Sequence, residues 1–378
     1  MRGVISLRRF WAILVKEFVQ MRRDRLTFAM MVGVPVLQLL LFGYAINADP
    51  KSLPTAVVMG EASPFARAFL AGIGNSGYFR LVGEAVDEQA ADRMLARGDV
   101  QFVVTIPVDF QRRLLRGEHP AVLVEADATD PAATSNALAA LSRIAETAAV
   151  RDLGGAQAGL AARPPPFEVR IHRRYNPEGV TAYNVVPGLM GTILTMTMVI
   201  MTSLGMTRER ERGTMENLLA MPVRPAEVML GKIVPYILVG YVQVTVILLA
   251  ARFLFGVPMA GSLVLLSLVL VIFIAANLAI GFTFSTVAAN QLQAMQMAFF
   301  FFLPSILLSG FMFPYRGMPD WAQVVGEILP LTHFLRIVRG ILLKGSGWTD
   351  IAPEVWPLLA FMAAAMALAL LRYRRTLD

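Results

Sequence analysis

The sequence predicts an all-α membrane bundle of six transmembrane helices, with an α/β domain inserted between helices 1 and 2. Three observations carry that prediction. Of 378 residues, 56% are hydrophobic and only 16% charged, with a mean hydropathy of +0.59, outside the range of an ordinary soluble domain. Charge-free runs recur that are long enough for a bilayer, which needs about 20 apolar residues. Between the first two such runs lies one polar stretch in which strand and helix patterns alternate.

In chain order, residues 1–25 come first. The stretch "ISLRRFWAILVKEFVQMRRDR" sets Leu7, Phe10, Trp11, Leu14, Val15 and Phe18 at helical intervals, with Arg8, Arg9, Lys16 and Arg23 on the flanks. It reads as a helix in the cytoplasmic membrane surface, its apolar face in lipid and its basic face toward anionic headgroups. Residues 26–48 form span one. Its apolar run is too long for a cleaved signal, and no small-x-small site follows it cleanly, so it reads as an uncleaved anchor.

Residues 49–180 are the inserted domain, with 14 basic and 16 acidic side chains between Asp49 and Glu178, a balance suited to solvent. "TAVVMG", "YFRLVG", "VQFVVTIP" and "AVLVEAD" read as strands. Ser63 and Pro64 start a helix as N-cap and first helical residue, and "DEQAADRMLARG" has acids at its start and Gly98 past its end. "VDFQRRLLRG" is a short helix, and Asp130 with Pro131 opens a longer one through Leu160. After "ARPPP", "FEVRIHRRYNPEG" gives a last extended segment back to the membrane.

The remaining spans, within 183–378, are Tyr183–Thr207, Ile233–Ala251, two between Phe253 and Tyr315 divided near "ANQLQAMQ", and Val355–Leu371. The segment 316–345 carries apolar residues at helical spacing and is broken at Pro330, which predicts two short extracytoplasmic helices lying in the interface or dipping into it, with a surface position as the default. Lys and Arg set the orientation. They cluster before span one, after span two and in the tail, three places that fall on one side when six spans are threaded, so that side is the cytoplasm and both termini lie there. The net charge of +7 follows from this topology, and no nucleic-acid partner is needed to explain it.

Several function classes are excluded or weakened. With no cysteine there is no disulfide, thiol catalysis or Cys-ligated metal, and His119, His172 and His333 have no metal-ligand spacing. No GxxxxGK[ST] loop is present, so the chain is not its own ATPase. The spans hold no ionisable residue away from their ends, which argues against ion-coupled secondary transport. Gln38, Gln243, Asn277, Thr192, Thr195, Thr197, Ser285 and Thr286 are expected to bond across helices. Met190, Met196, Met198 and Met201, with Phe299 to Phe302, read as packing, with a deformable apolar route as the second reading.

The loop 207–229, "TRERERGTMENLLAMPVRPAEVML" with its flanks, is the sizeable cytoplasmic loop between spans. Gly213 and Thr214 suit a turn and N-cap before a short helix, "MENLLAMP", ended by Pro222. Topology explains its arginines but not its glutamates or its capped helix.

That loop resembles the cytoplasmic signature of the ABC-2 type permeases, the membrane subunits of one class of ATP-binding-cassette transporter. "RRYNPEGVTAYNVVPGLMG", "LLSGFMFP" and "ILPLTHFLRIVRGILLKG" agree with it, and the insert looks like the multidrug-type export branch. The resemblance implies a half-transporter that pairs with a second permease, identical or related, and with two cytoplasmic ATPase subunits in the inner membrane. ATP and magnesium would bind the partner ATPase, leaving this chain without catalytic, cofactor or metal residues. It further implies that Arg208, Glu209, Glu211, Gly213, Thr214 and Glu216 couple to the ATPase, with Phe10, Trp11, Lys16 and Glu17 as further ATPase or membrane-surface contacts. Segment 316–345 would be re-entrant, with Pro330, His333 and Arg336 near the external gate, and a periplasmic adaptor is a possible partner of the insert. The competing expectation is a membrane-anchored sensor or scaffold whose α/β domain binds a ligand or adaptor.

Overall fold

The computed structural model describes residues 50–85, 87–152, 167–211 and 225–372. The predicted surface helix and first span, with Phe10, Trp11, Lys16 and Glu17, lie outside the described residues, as do Gly213, Thr214 and Glu216.

The α/β region holds strands β1 (Leu53–Met59), β2 (Phe79–Glu84), β3 (Phe102–Ile106), β4 (Ala121–Asp127) and β5 (Glu168–Arg174), with helices α1 (Pro64–Asn75), α2 (Glu88–Arg97), α3 (Phe110–Leu115) and α4 (Pro131–Asp152). Sheet order is β2-β1-β3-β4-β5; only the β3–β4 pair is antiparallel. Local chemistry sets the helix ends. Ser63 Oγ accepts from Ala66 N at 3.2 Å, Asp87 Oδ1 from Ala90 N at 2.6 Å, and Gly98 closes α2 with φ +80°, a left-handed conformation that glycine adopts without steric cost. Phe69, Phe102, Phe110 and Phe167 fill one side of the sheet, with Phe167 edge-on to Phe69 at 5.1 Å and to Phe110 at 5.7 Å. Helix α2 covers the other side through Ala91 and Leu95.

Five helices among the described residues are long and apolar enough to cross a membrane. They lie in α5 (Thr181–Glu211), α6 (Pro225–Phe253), α7 (Leu263–Val287), α8 (Gln291–Leu308) and α11 (Trp348–Arg372). Helices α5 and α7 form the centre, with 61% and 56% of their most apolar windows buried, against 17% for α6 at the edge. The two central helices meet at backbone distance. A Cβ on Gly281 would fall 2.6 Å from the carbonyl of Val199, so a side chain there would force the helices apart. Met190 and Met198 are fully buried in this core, which fits packing rather than a route. The polar groups behave less as expected. Thr197 Oγ1 reaches Gln243 Oε1 across α5 and α6 at 3.0 Å, but Thr192, Asn277, Ser285 and Thr286 donate to carbonyls of their own helices.

Between α8 and α11 lie α9 (Asp320–Ile328), α10 (Pro330–Arg339) and a π-helical turn, Gly340–Lys344. The predicted surface position does not hold for α10. Its Phe334 stacks on Phe273, deep in α7, with centroids 4.0 Å apart and planes at 9°. Gly191 of α5 leaves room for it: a Cβ there would sit 2.7 Å from Leu331 and 2.9 Å from Phe334. The amphipathic pattern is real, but the bundle meets its apolar side and a polar cavity its other side, the two roles that lipid and water would fill at an interface.

Candidate coupling end and gate cluster

At one end of the bundle, α5 runs past its apolar window to Arg208 and Glu211, both exposed. Glu209 belongs to the same last turn. A helix start leaves its first amides unbonded and carries a partial positive charge. Glu211 answers that need for α8. Its Oε1 accepts from the backbone amide of Gln291, the first residue of α8, at 2.7 Å, and its Oε2 accepts from the Gln291 side chain. Arg208 Nε donates to Gln291 Oε1 at 3.4 Å. The Gln291 side-chain and backbone hydrogen bonds, with Arg208 adding, hold the Glu211 carboxyl below its ordinary value. Asn290 caps the same helix by accepting from Gln293 N at 2.9 Å, and Gln293 returns a bond from Ala289 N at 2.8 Å. The amides that the sequence offers as a break between spans are therefore the capping apparatus of α8. Of the six residues expected to couple, Arg208 and Glu211 form a brace between two membrane helices.

At the opposite end, His333 and Arg336 of α10 gather with residues the sequence does not single out. Pro330 starts α10, and Thr332 Oγ1 donates to Gly326 O at 2.6 Å, so the chain turns tightly from α9 into α10. Arg336 donates to Glu327 at 2.6 Å and to Glu354 of α11 at 3.1 Å, and its guanidinium lies 4.6 Å from the Tyr315 ring. Tyr315 Oη lies 2.7 Å from Glu327 Oε1. Burial favours neutral groups here, but the ion pairs outweigh it: Glu327 and Glu354 hold Arg336 above its ordinary value, and Arg336 holds Glu327 below its own. Burial and the hydrogen bond that Tyr315 donates to Glu327 both raise Tyr315.

His333 faces acceptors on both ring nitrogens, Glu354 Oε2 at 2.5 Å from Nδ1 and the Glu327 carbonyl at 2.8 Å from Nε2. Only the imidazolium donates from both. Burial pulls its pKa down, but the bond to Glu354, the bond to the Glu327 carbonyl and the charge of Glu354 outweigh it, so the folded value is raised. A raised folded value means that the stabilisation is complete below about 6.5, the unfolded value, and is lost as pH rises through the higher folded one. Thermal unfolding of the detergent-solubilised chain is expected to shift downward across that window, and a His333→Gln variant to show a flatter profile.

Beside this cluster a cavity of about 300 Å³ opens where the α/β region meets α10, the π-helical turn and α11. Lys344 crosses this seam. Its Nζ lies 2.6 Å from Asp127 Oδ2, with 8% and 9% of the two side chains exposed, and 3.1 Å from the carbonyl of Leu95. Arg97 and Asp350 add a 3.6 Å pair at the rim.

The model of the ABC-2 family transporter protein matches residues 25–371. The probable multidrug ABC transporter permease YbhS of Escherichia coli is 30% identical over 99% of both chains. The chain belongs to the ABC-2 transporter family. Similar to it also are the probable multidrug permease YbhR of Escherichia coli, 28% identical over 97% of this chain and 98% of that one, and the inner membrane transport permease YhhJ, 29% identical over 90% and 93%. As an ABC-2 permease it is a multi-pass membrane subunit of an ABC transporter, with ATP hydrolysis in separate ATP-binding subunits. Glu327, Glu354, Tyr315, Lys344 and Asp127 escape sequence reasoning; the one local signal was Glu354, an acid at the very edge of an apolar span.

Proposed function

We propose that this permease forms half of the translocation pathway of an exporter in the inner membrane, with the work delivered at the α5–α8 brace. The observation that carries the reading is Glu211 joined to Gln291. Because one carboxylate ties the end of α5 to the start of α8, a push on the following loop moves two membrane helices as one. In this reading Arg208, Glu209, Gly213, Thr214 and Glu216 meet the ATPase, as do Phe10, Trp11, Lys16 and Glu17 at the membrane surface. Residues 26–48 supply a sixth span, which places the α/β region (49–180) outside the cell's inner membrane and both termini in the cytoplasm. ATP and magnesium are held by the partner. The stripe Leu238, Val242, Val246 and Leu249 on α6, exposed in the single chain, suits lipid or a second permease. The cluster of His333, Arg336, Glu327 and Glu354, with Pro330 at its turn, serves as the outer gate, since ion pairs joining α9, α10 and α11 must part before those helices separate. The word multidrug in the names of YbhS and YbhR supports drugs as cargo, and export is the direction that the resemblance to this branch implies. An adaptor would dock on the α/β region. Reconstitution of this chain with its ATPase in vesicles, measuring ATP-dependent flux, tests the reading.

A further inference from the structure

The cavity at the seam contains a guanidinium with work to do. Arg339, the last residue of α10, donates from Nη1 to the carbonyl of Gly310 at 3.1 Å. The residue borders the cavity and is partly accessible, but its Nε and Nη2 touch no solvent and have no hydrogen-bond partner among the described residues. These two are the adjacent, parallel N–H groups of the fork, the pair that grips both oxygens of a carboxylate or phosphate. A buried charge left so is costly.

Its acidic neighbours are engaged elsewhere. Asp127 is held by Lys344 through Oδ2 and by Thr129 through Oδ1. Asp130 caps α4, its Oδ1 accepting from the amides of Ala132 and Ala133 and from Asn184 Nδ2, and burial raises its pKa. Arg316, on the same cavity wall, has no carboxylate within ion-pair distance among the described residues and donates to the carbonyl of Gly98 at 3.5 Å. Gln101 Oε1, also on that wall, is buried and unpaired, an acceptor for a ligand hydroxyl.

We infer that this cavity is a binding site for one oxyanion group, a phosphate or a phosphate ester, gripped by the Nε and Nη2 fork of Arg339 and flanked by Arg316. At about 30 Å³ per water, 300 Å³ holds such a group with several waters. Because the fork touches no solvent, occupancy requires it to swing into the cavity it borders. The phosphate of a lipid headgroup and free phosphate share this chemistry. The site stands independently of how the ATPase couples.

The test uses the full chain in maltoside detergent, which carries no phosphate. Inorganic phosphate is titrated by calorimetry, and phosphatidylglycerol added to a second set is counted by native mass spectrometry. One equivalent of phosphate binding identifies a free-anion site; one retained phosphatidylglycerol identifies a headgroup site; either supports the proposal. Arg339→Lys keeps the charge but removes the fork and is expected to weaken binding about tenfold or more. Asp130→Asn removes a nearby negative charge and is expected to tighten it. Arg316→Gln, away from the buried fork, is expected to weaken it and serves if Arg339→Lys does not fold. Binding of neither probe to the wild type overturns the proposal, as does binding that neither arginine variant weakens, or that Asp130→Asn abolishes in a folded chain.

Discussion

Replacing Glu211 by alanine is expected to cut ATP-driven transport about tenfold or more, the size of a typical coupling between two sites, while insertion and the partner's hydrolysis persist. The carboxylate is exposed, so its removal costs the fold little. What it does remove is the bridge from the end of α5 to the first amide of α8, where one carboxylate oxygen accepts from that amide and the other from the Gln291 side chain. Without it, movement of the loop after α5 reaches one helix instead of two. Glu211→Gln keeps one acceptor oxygen but no charge, and is expected to retain an intermediate flux. A Glu211→Ala, Glu216→Ala double variant with wild-type flux per inserted molecule would remove the brace from the mechanism.

Lys344→Met is expected to destabilise the seam by about 3–5 kcal/mol, the cost of stranding one partner of a buried pair. Lys344 and Asp127 are 2.6 Å apart and more than nine-tenths buried, and the methionine that replaces the lysine fills its space without its charge. Asp127 would keep its two bonds from Thr129 but lose its countercharge. Adding Asp127→Leu to the same chain is expected to recover most of the loss, because a well-packed apolar pair avoids desolvating two ions. Thermal or denaturant unfolding in detergent reads both; a single-variant loss under about 1 kcal/mol would mean that water reaches the pair and screens it.

What was legible in the sequence was what is local. Ser63 and Pro64 announce α1, and Asp87 and Gly98 bracket α2, because a cap acts within three or four residues of the backbone it satisfies. The alternation of strands and helices in the α/β region and the long apolar helices were legible for the same reason, through periodicity. The sites were not. Glu211 and Gln291 are 80 residues apart, and Lys344 and Asp127 are 217 apart, so neither pair leaves a spacing to read. The two acceptors of His333 come from α9 and α11, so its pairing leaves no spacing to read either. Segment 316–345 misled in a different way. A helix with one apolar and one polar face fits a membrane surface and also fits a polar cavity against a bundle, and only tertiary packing, here Phe334 on Phe273, decides between them.

The central claim is that helices of this chain carry cargo under the force of a separate ATPase. Its most direct test is flux of an amphiphilic dye in vesicles holding this chain alone, the cassette ATPase alone, or both, with and without ATP and with imposed ion gradients. The expected result is flux only when both subunits and ATP are present, and indifference to the gradients. Flux that follows an ion gradient without the ATPase would make the chain a secondary carrier, and failure of any cassette ATPase to co-purify, with no flux in any combination, would favour a membrane-anchored sensor or scaffold; either result would contradict the claim.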